Sequence, residues 1–194
     1  MNELFQDELL QDERLLWVGQ PDPRVLFTGA DIFLIPFSIM WGGFALFWEI
    51  SVLTTTARTG APASFFALWG IPFVILGLYF MIGRFVYKRA RKRKTYYAVT
   101  NKRVLVLTKF LGNNLQAANI HTIPIINRFL RSDGTGTVRF GNISTMAAWY
   151  ANTGMEFFGG FYGADVPTFY DIPDANSVYR LVTELRNRSA ASQS

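Results

Sequence analysis

Two long apolar runs, Ile32 to Leu53 and Phe65 to Val86, constrain this chain more than any other feature of its sequence. A bilayer core about 30 Å thick requires roughly 20 apolar residues in a helix that rises about 1.5 Å per residue. Both runs meet that length. We therefore predict two transmembrane helices, residues 32–53 and 65–86, which form a membrane α-helical hairpin over residues 32–86. Neither run carries a charge at mid-depth, where ion and proton pathways have one, so the pattern disfavours a transporter.

Charged residues are distributed unevenly along the chain. Through Gly83 there are three Lys or Arg against eight Asp or Glu, a net charge of −5; from Arg84 onward there are sixteen against six, a net charge of +10. The connecting loop, residues 54–64, holds one cation. Because loops rich in Lys and Arg stay on the cytoplasmic side, we predict that both termini are cytoplasmic and that the loop is outside.

A basic juxtamembrane segment, residues 87–94, follows the second run. Our candidate contacts for anionic phospholipid headgroups are Arg84, Lys88, Arg89, Arg91, Lys92, Arg93 and Lys94. Each cation near an anionic leaflet contributes roughly 1 kcal/mol to binding. The same cluster is also explained as a topology signal, and the two roles are compatible. No base-reading helix or RNA-binding strand motif accompanies it, so we predict no nucleic-acid partner.

Residue types that support catalysis or metal binding are scarce. The chain has no cysteine, which excludes disulfides, thiolate zinc sites and cysteine nucleophiles. Its one histidine, His121, cannot form a multi-histidine metal site by itself. The aspartates of the C-terminal half lie near Gly or Pro turns, where they make local hydrogen bonds. We predict no catalytic residue, no cofactor and no metal, and a chain that is not an enzyme.

Residues 95–188 have the pattern of one small α+β domain. Thr95 to Thr100 and Arg103 to Thr108 are rich in β-branched and aromatic residues, and Asn101-Lys102 separates them, which predicts a β-hairpin. Residues 119–127 predict a further strand, with Pro124 at an edge or a bulge.

The chain after residue 130 predicts two more strands and a closing helix. Asp133-Gly-Thr-Gly136 predicts a turn into a strand over residues 137–140. Val166 to Ile172 predicts the last strand, and Pro173-Asp174 precedes an amphipathic helix that runs to about Arg188. We expect residues 189–194 to be a disordered tail. Strands followed by one such helix indicate a small antiparallel β-barrel closed by a C-terminal α-helix.

Residues 144–164 do not fit this pattern. They are rich in glycine and aromatic residues but lack clean alternation, so no strand is assigned to them. A hairpin with an aromatic loop is one interpretation. Such a loop could pack on the barrel, enter the bilayer interface or contact another subunit, and the sequence leaves these alternatives open.

Four short motifs, in order, resemble a known family. They are Trp17-Val-Gly-Gln-Pro21, Tyr97-Ala-Val-Thr-Asn-Lys-Arg-Val104, Asp133-Gly-Thr-Gly136, and the terminal strand and helix. The chain resembles the bacterial membrane proteins that carry a pleckstrin-homology-like (PH) domain. That resemblance covers nearly the whole chain. It implies a PH-like domain at residues 95–188, on the cytoplasmic face of the bacterial inner membrane, in a family not known for catalysis.

The cytoplasmic N-terminal arm, residues 1–31, alternates apolar and acidic residues and predicts a short amphipathic helix. Because both termini are predicted to lie on the same side, we expect the arm to pack against the C-terminal domain, with its acids near the basic segment.

These patterns lead to a functional hypothesis, a membrane-anchored, non-catalytic binding or scaffolding module on the cytoplasmic face. A hairpin that anchors a domain raises the local concentration of lipids and membrane proteins around it. The expected partners are the membrane itself, anionic phospholipid headgroups, and a protein partner or a homo-oligomer. The alternative is an accessory subunit of a membrane enzyme or transporter complex.

Overall fold

The computed structural model describes residues 1–59, 65–156 and 166–191. For residues 146 and 189–191 it describes the backbone only. These residues fold into two compact units. One, the β unit, comprises Met1–Val25, Arg89–Ala148 and the described part of Phe158–Ser194; the other, the helical unit, comprises Leu26–Lys88 and the described part of Trp149–Phe157.

Two antiparallel sheets form the β unit. The first has the order β1-β2-β3-β4, with strands Leu15–Gly19, Thr95–Thr100, Arg103–Thr108 and Asn114–Asn119. The second has the order β5-β6-β7, with strands Asn127–Leu130, Gly136–Arg139 and Thr168–Ile172. Short 3-10 helices lie at Asn2–Glu8 and Ile120–Thr122. The mixture of helix and antiparallel sheet agrees with the predicted α+β class.

The two sheets correct the predicted closed barrel, because the described strands do not pair into one continuous ring. The break falls where the sequence predicted a strand over residues 119–127. Ile120–Thr122 is instead a 3-10 turn and residues 123–126 have no strand pairing. Pro124 has no N–H to donate to a ladder, and this accounts for the loss of pairing there.

Strands β2 and β3 are covered on both faces. On one face Tyr97, Val99, Val104 and Val106 belong to the main core, and on the other face Ala98, Leu105 and Leu107 pack around Phe5 of the N-terminal arm. Burial on two faces explains why β3 is a continuous apolar run rather than an alternating one.

Phe169 lies at the centre of the main core. Its ring centroid is 4.6 Å from that of Tyr97, 4.9 Å from that of Phe140 and 5.7 Å from that of Trp17. Burial raises the pKa of the Tyr97 hydroxyl, which accepts a hydrogen bond from the Tyr170 N–H at 3.1 Å. These ring contacts, two stacked and one edge-to-face, join both sheets.

The C-terminal helix closes this core. Ala175, Val178 and Val182 are buried in it, on one face of a helix that spans Ala175–Ala191. The helix continues past Arg188, where the sequence predicted a disordered tail to begin. Residues 192–194 lie outside the described residues.

The helical unit consists mainly of long apolar helices. Helix α1 spans Asp31–Thr59 and α2 spans Phe65–Leu78; a π-helical turn, Tyr79–Gly83, joins α2 to α3, Arg84–Arg93. By length and composition, Asp31–Thr59 and Phe65–Arg93 are able to cross a membrane, and only 22% and 17% of their apolar windows are buried. Core helices of a soluble domain would be mostly buried.

Small residues bring α1 and α2 together. Gly42 and Gly77 face each other so closely that a β-carbon at residue 77 would come within 2.8 Å of the Gly42 Cα. Ala45 of α1 and Ala67 of α2 are also buried. Close packing through small residues is typical of helices that associate in lipid, where no hydrophobic force distinguishes a neighbouring helix from an acyl chain.

Part of the aromatic segment after residue 144 belongs to the helical unit. Residues Thr145–Tyr150 form a short helix, α4. The C-terminal helix Ala175–Ala191 is α5. Within the helical unit the Tyr79 hydroxyl donates to the Gly154 carbonyl at 2.5 Å, and the rings of Phe33 and Trp149 lie 5.6 Å apart. Residues 157–165 lie outside the described residues, so the interpretation of an aromatic loop there stays a prediction.

Candidate membrane-facing basic surface

Helix α3 divides the basic run into two sets. Arg84, Lys88 and Lys92, spaced four residues apart, lie on one face and are 1%, 2% and 5% exposed. Arg89 and Arg93, on another face, are exposed, as is Lys94 directly after the helix. Residues four apart share a helix face, so the spacing of the cations determines which of them lie on the same side of α3.

The buried Arg84, at the start of α3, forms an ion pair with the start of α1 within the helical unit. Its Nη1 donates to the Asp31 carboxylate at the start of α1, and its Nε donates to the Phe80 carbonyl at 2.9 Å. The same Asp31 carboxylate accepts from the N–H and hydroxyl of Thr28, at 2.5 Å and 2.9 Å. The charge of Arg84 is therefore neutralised by a partner inside the protein.

The buried Lys88 is occupied by a backbone acceptor. Its Nζ donates to the Leu26 carbonyl at 2.6 Å, in the linker between β1 and α1. A buried ammonium is tolerated only where acceptors replace water.

Lys92 belongs to a buried ion cluster within the β unit. Its Nζ donates to the Val25 carbonyl at 2.6 Å and to the Asp171 carboxylate at 2.6 Å. Arg131 approaches the second oxygen of the same carboxylate at 3.1 Å. Asp171 is 2% exposed and has a φ of +50°, an uncommon conformation for a residue other than glycine. The cluster therefore holds a strained residue of β7 against the end of α3.

A second exposed element lies next to Lys94. The N–H of Lys109, after β3, donates to the Lys94 carbonyl at 2.8 Å, and the Lys109 side chain is exposed. The turn between β3 and β4 then presents Leu111, which is 88% exposed at a φ of +55°. We call Arg89, Arg93, Lys94 and Lys109, with Leu111 at the tip, the exposed basic surface.

This arrangement sorts the seven cations that the sequence singled out. Arg84, Lys88 and Lys92 are buried and hydrogen-bonded within the protein. Arg91 is half-buried, and its carbonyl accepts from Lys94 N–H at 3.0 Å. The other three are exposed, and lipid contact by them stays a prediction. The four-residue spacing in the sequence contained the signal for this division.

Lys109 and Leu111 were not among the residues that the sequence singled out. Neither stands out in it, because an isolated Lys or Leu in a turn is common. Only the hydrogen bond between Lys109 and Lys94 brings them beside the basic run.

The sequence predicted no catalytic residue, no cofactor and no metal, and these stay predictions. Among residues 1–59, 65–156 and 166–191, no group of three His, Asp or Glu side chains is placed to hold a metal ion. His121 is exposed on the 3-10 turn at Ile120–Thr122.

The chain was compared with known proteins. No protein-family model, no curated protein and no solved structure matches it. The resemblance to PH-like membrane proteins therefore stays a hypothesis.

Proposed function

We propose that this chain is a non-catalytic binding module anchored in a membrane by α1 and by the helix Phe65–Arg93. Its β unit works at the cytoplasmic face and contacts anionic headgroups through the exposed basic surface. The observation that carries the proposal is the division of the cations on α3 into a buried set with internal partners and an exposed set beside Leu111.

Three features of the exposed basic surface support lipid contact. Arg93 lies seven residues beyond Val86, roughly 10 Å of helix rise past the end of the predicted span, just beyond a headgroup layer of about 5–7 Å, and a long Arg side chain reaches that layer. Four cations near an anionic leaflet contribute about 4 kcal/mol. An exposed leucine beside them adds apolar area that a bilayer interface would cover.

The absence of cysteine from the chain makes the test direct, because Leu111→Cys introduces a single labelling site. We would attach an environment-sensitive fluorophore there and reconstitute the full chain in nanodiscs of neutral lipid or of one-third anionic lipid. We expect a blue-shifted emission in the anionic discs, since the tip enters the interface. The quadruple variant R89Q/R93Q/K94Q/K109Q should lose most of that shift.

His121→Cys, labelled in the same way, is the matched control, since His121 is also exposed but lies outside the basic surface. Its emission should not depend on lipid charge. If emission at residue 111 is the same in both lipids, or if the quadruple variant keeps the full shift, the exposed basic surface does not contact anionic lipid.

A further inference from the structure

A cavity of about 260 Å³ lies between α1 and α2, within the helical unit. Its wall consists mainly of aromatic rings, from Trp41, Phe44, Trp48, Trp69 and Phe73. The Trp41 and Phe73 rings lie 6.2 Å apart, and the Trp69 and Phe73 rings 6.1 Å. Sites for drug-sized ligands measure about 300–1,000 Å³, so this cavity accommodates one ring system rather than a whole lipid.

One polar group in this wall lacks a partner. The Trp41 indole N–H is buried, and no residue that the structure describes accepts a hydrogen bond from it. An indole nitrogen can only donate, and a buried donor that lacks an acceptor destabilises the folded state. Within hydrocarbon no water is at hand to satisfy it. A ligand with an acceptor oxygen at this position would offset the cost.

The packing of the two helices maintains the cavity. Gly70 forms part of the wall, and a β-carbon there would collide with the Glu49 carboxylate. The helices are in close contact at Gly42 and Gly77. The bulky rings elsewhere on both helices hold them further apart, and the cavity lies among those rings.

We propose that this cavity binds a flat, lipid-soluble ring that carries a carbonyl oxygen, the chemistry of a quinone. The ring stacks among the tryptophan and phenylalanine side chains, and the carbonyl accepts the Trp41 N–H. An acyl chain fits the apolar wall but supplies no acceptor at the depth of Trp41, which is the tenth residue of the predicted span 32–53. Glu49 does not line the cavity, but its carboxylate lies against Gly70 of the wall, so a lipophilic cation is the competing ligand that the test includes.

The test compares two ring compounds that differ in their carbonyls. Menadione (a methylated naphthoquinone) and 2-methylnaphthalene would be titrated calorimetrically into the full chain in nanodiscs, with empty nanodiscs subtracted. We expect saturable binding of one menadione per chain and at least tenfold weaker binding of 2-methylnaphthalene, since one hydrogen bond is worth about 1.4 kcal/mol. Trp41→Phe should abolish the difference between the two compounds. Trp149→Phe, which replaces an indole outside the cavity wall, should leave it unchanged.

A measurement on the unmodified chain keeps the proposal testable if Trp41→Phe fails to fold. The chain has five tryptophans, and one of their five indole N–H resonances should move downfield with menadione and stay in place with 2-methylnaphthalene. Equal affinity for the two compounds, or no such shift, would refute the carbonyl contact. Saturable binding of tetraphenylphosphonium that Glu49→Gln abolishes, with no saturable menadione binding, would overturn the proposal in favour of a cation site.

Discussion

Glu13 shows how a single carboxylate ties the N-terminal arm to the sheet. Its Oε2 accepts from Arg103 Nη2 at 2.7 Å, and its Oε1 accepts from the Thr100 hydroxyl at 2.7 Å. Burial by itself would raise the pKa of Glu13, but the hydrogen bonds from Arg103, from the Leu10 N–H and from Thr100 outweigh it and lower the pKa from 4.5 to about 2. The same pair raises the pKa of Arg103.

This shift predicts how stability depends on pH. A carboxylate whose pKa is lower in the folded state stabilises that state above the unfolded pKa, and the contribution is lost as pH falls through the folded pKa. We expect Glu13 to contribute about 2–3 kcal/mol at pH 7, lost as pH falls from 4.5 to about 2. Glu13→Gln should therefore lower the melting temperature in mild detergent at pH 7 and flatten its decline below pH 4.5.

Glu184→Gln is the matched control for this carboxylate, since Glu184 is 65% exposed and lies 3.9 Å from Arg188. Exposed pairs of this kind contribute little, so its pH profile should match that of the unmodified chain. If Glu13→Gln has the same profile too, the ion pair with Arg103 does not stabilise the fold.

Helix α3 carries cations with different surroundings on two faces. The face with Arg84, Lys88 and Lys92 contributes to the internal structure, and the exposed cations are free of that role. Charge alone does not show which face is buried, because both faces carry Lys and Arg.

Adjacent cations on α3 should therefore differ in their effect on stability. Lys92→Met removes the donor to one oxygen of the buried Asp171 carboxylate and to the Val25 carbonyl. Breaking one side of a buried ion pair costs several kcal/mol, so we expect a loss of roughly 2–3 kcal/mol and a melting temperature lower by roughly 5–10 °C. Arg93→Met should change stability by less than about 0.5 kcal/mol. Intrinsic tryptophan fluorescence on heating in detergent measures both; equal effects would contradict the division of the helix.

At the scale of the whole molecule, residues 1–25 of the arm belong to the β unit rather than forming a separate segment. β1 pairs with β2, with Trp17 opposite Val99 and Gly19 opposite Tyr97. Phe5 is fully buried against Leu105 and Leu107. The prediction that the arm packs against the C-terminal domain is confirmed by these contacts. The further prediction that the acids of the arm lie near the basic segment is wrong for Glu13, which pairs with Arg103 of β3.

The arm should therefore be required for the stability of the β unit. Phe5→Ala removes a buried ring from the smaller core cluster, and we expect a loss of about 3 kcal/mol. Leu10→Ala, at a side chain that is 55% exposed, is the control and should have little effect. Thermal melts in detergent compare the two variants. Similar melting temperatures for both would show that the arm is only loosely attached.

The strands that the sequence predicted well are those with strong local signals. Thr95–Thr100 and Arg103–Thr108 form the expected hairpin, and the strand after Asp133-Gly-Thr-Gly136 is present as β6. By contrast, β4, Asn114–Asn119, was missed because Asn-Leu-Gln-Ala-Ala-Asn has few β-branched or aromatic residues. Backbone pairing with β3 holds these residues in a strand, although their own side chains do not favour one.

By itself the sequence determined the features that depend on neighbouring residues. These are the two apolar helices, the central hairpin and the amphipathic C-terminal helix, because periodicity and turn residues act over a few positions. The tertiary structure decided which cations are buried and which are exposed. Lys92 and Asp171 are 79 residues apart in the chain, and Arg84 and Asp31 are 53 apart. Burial of a charge depends on a partner that only folding brings within reach.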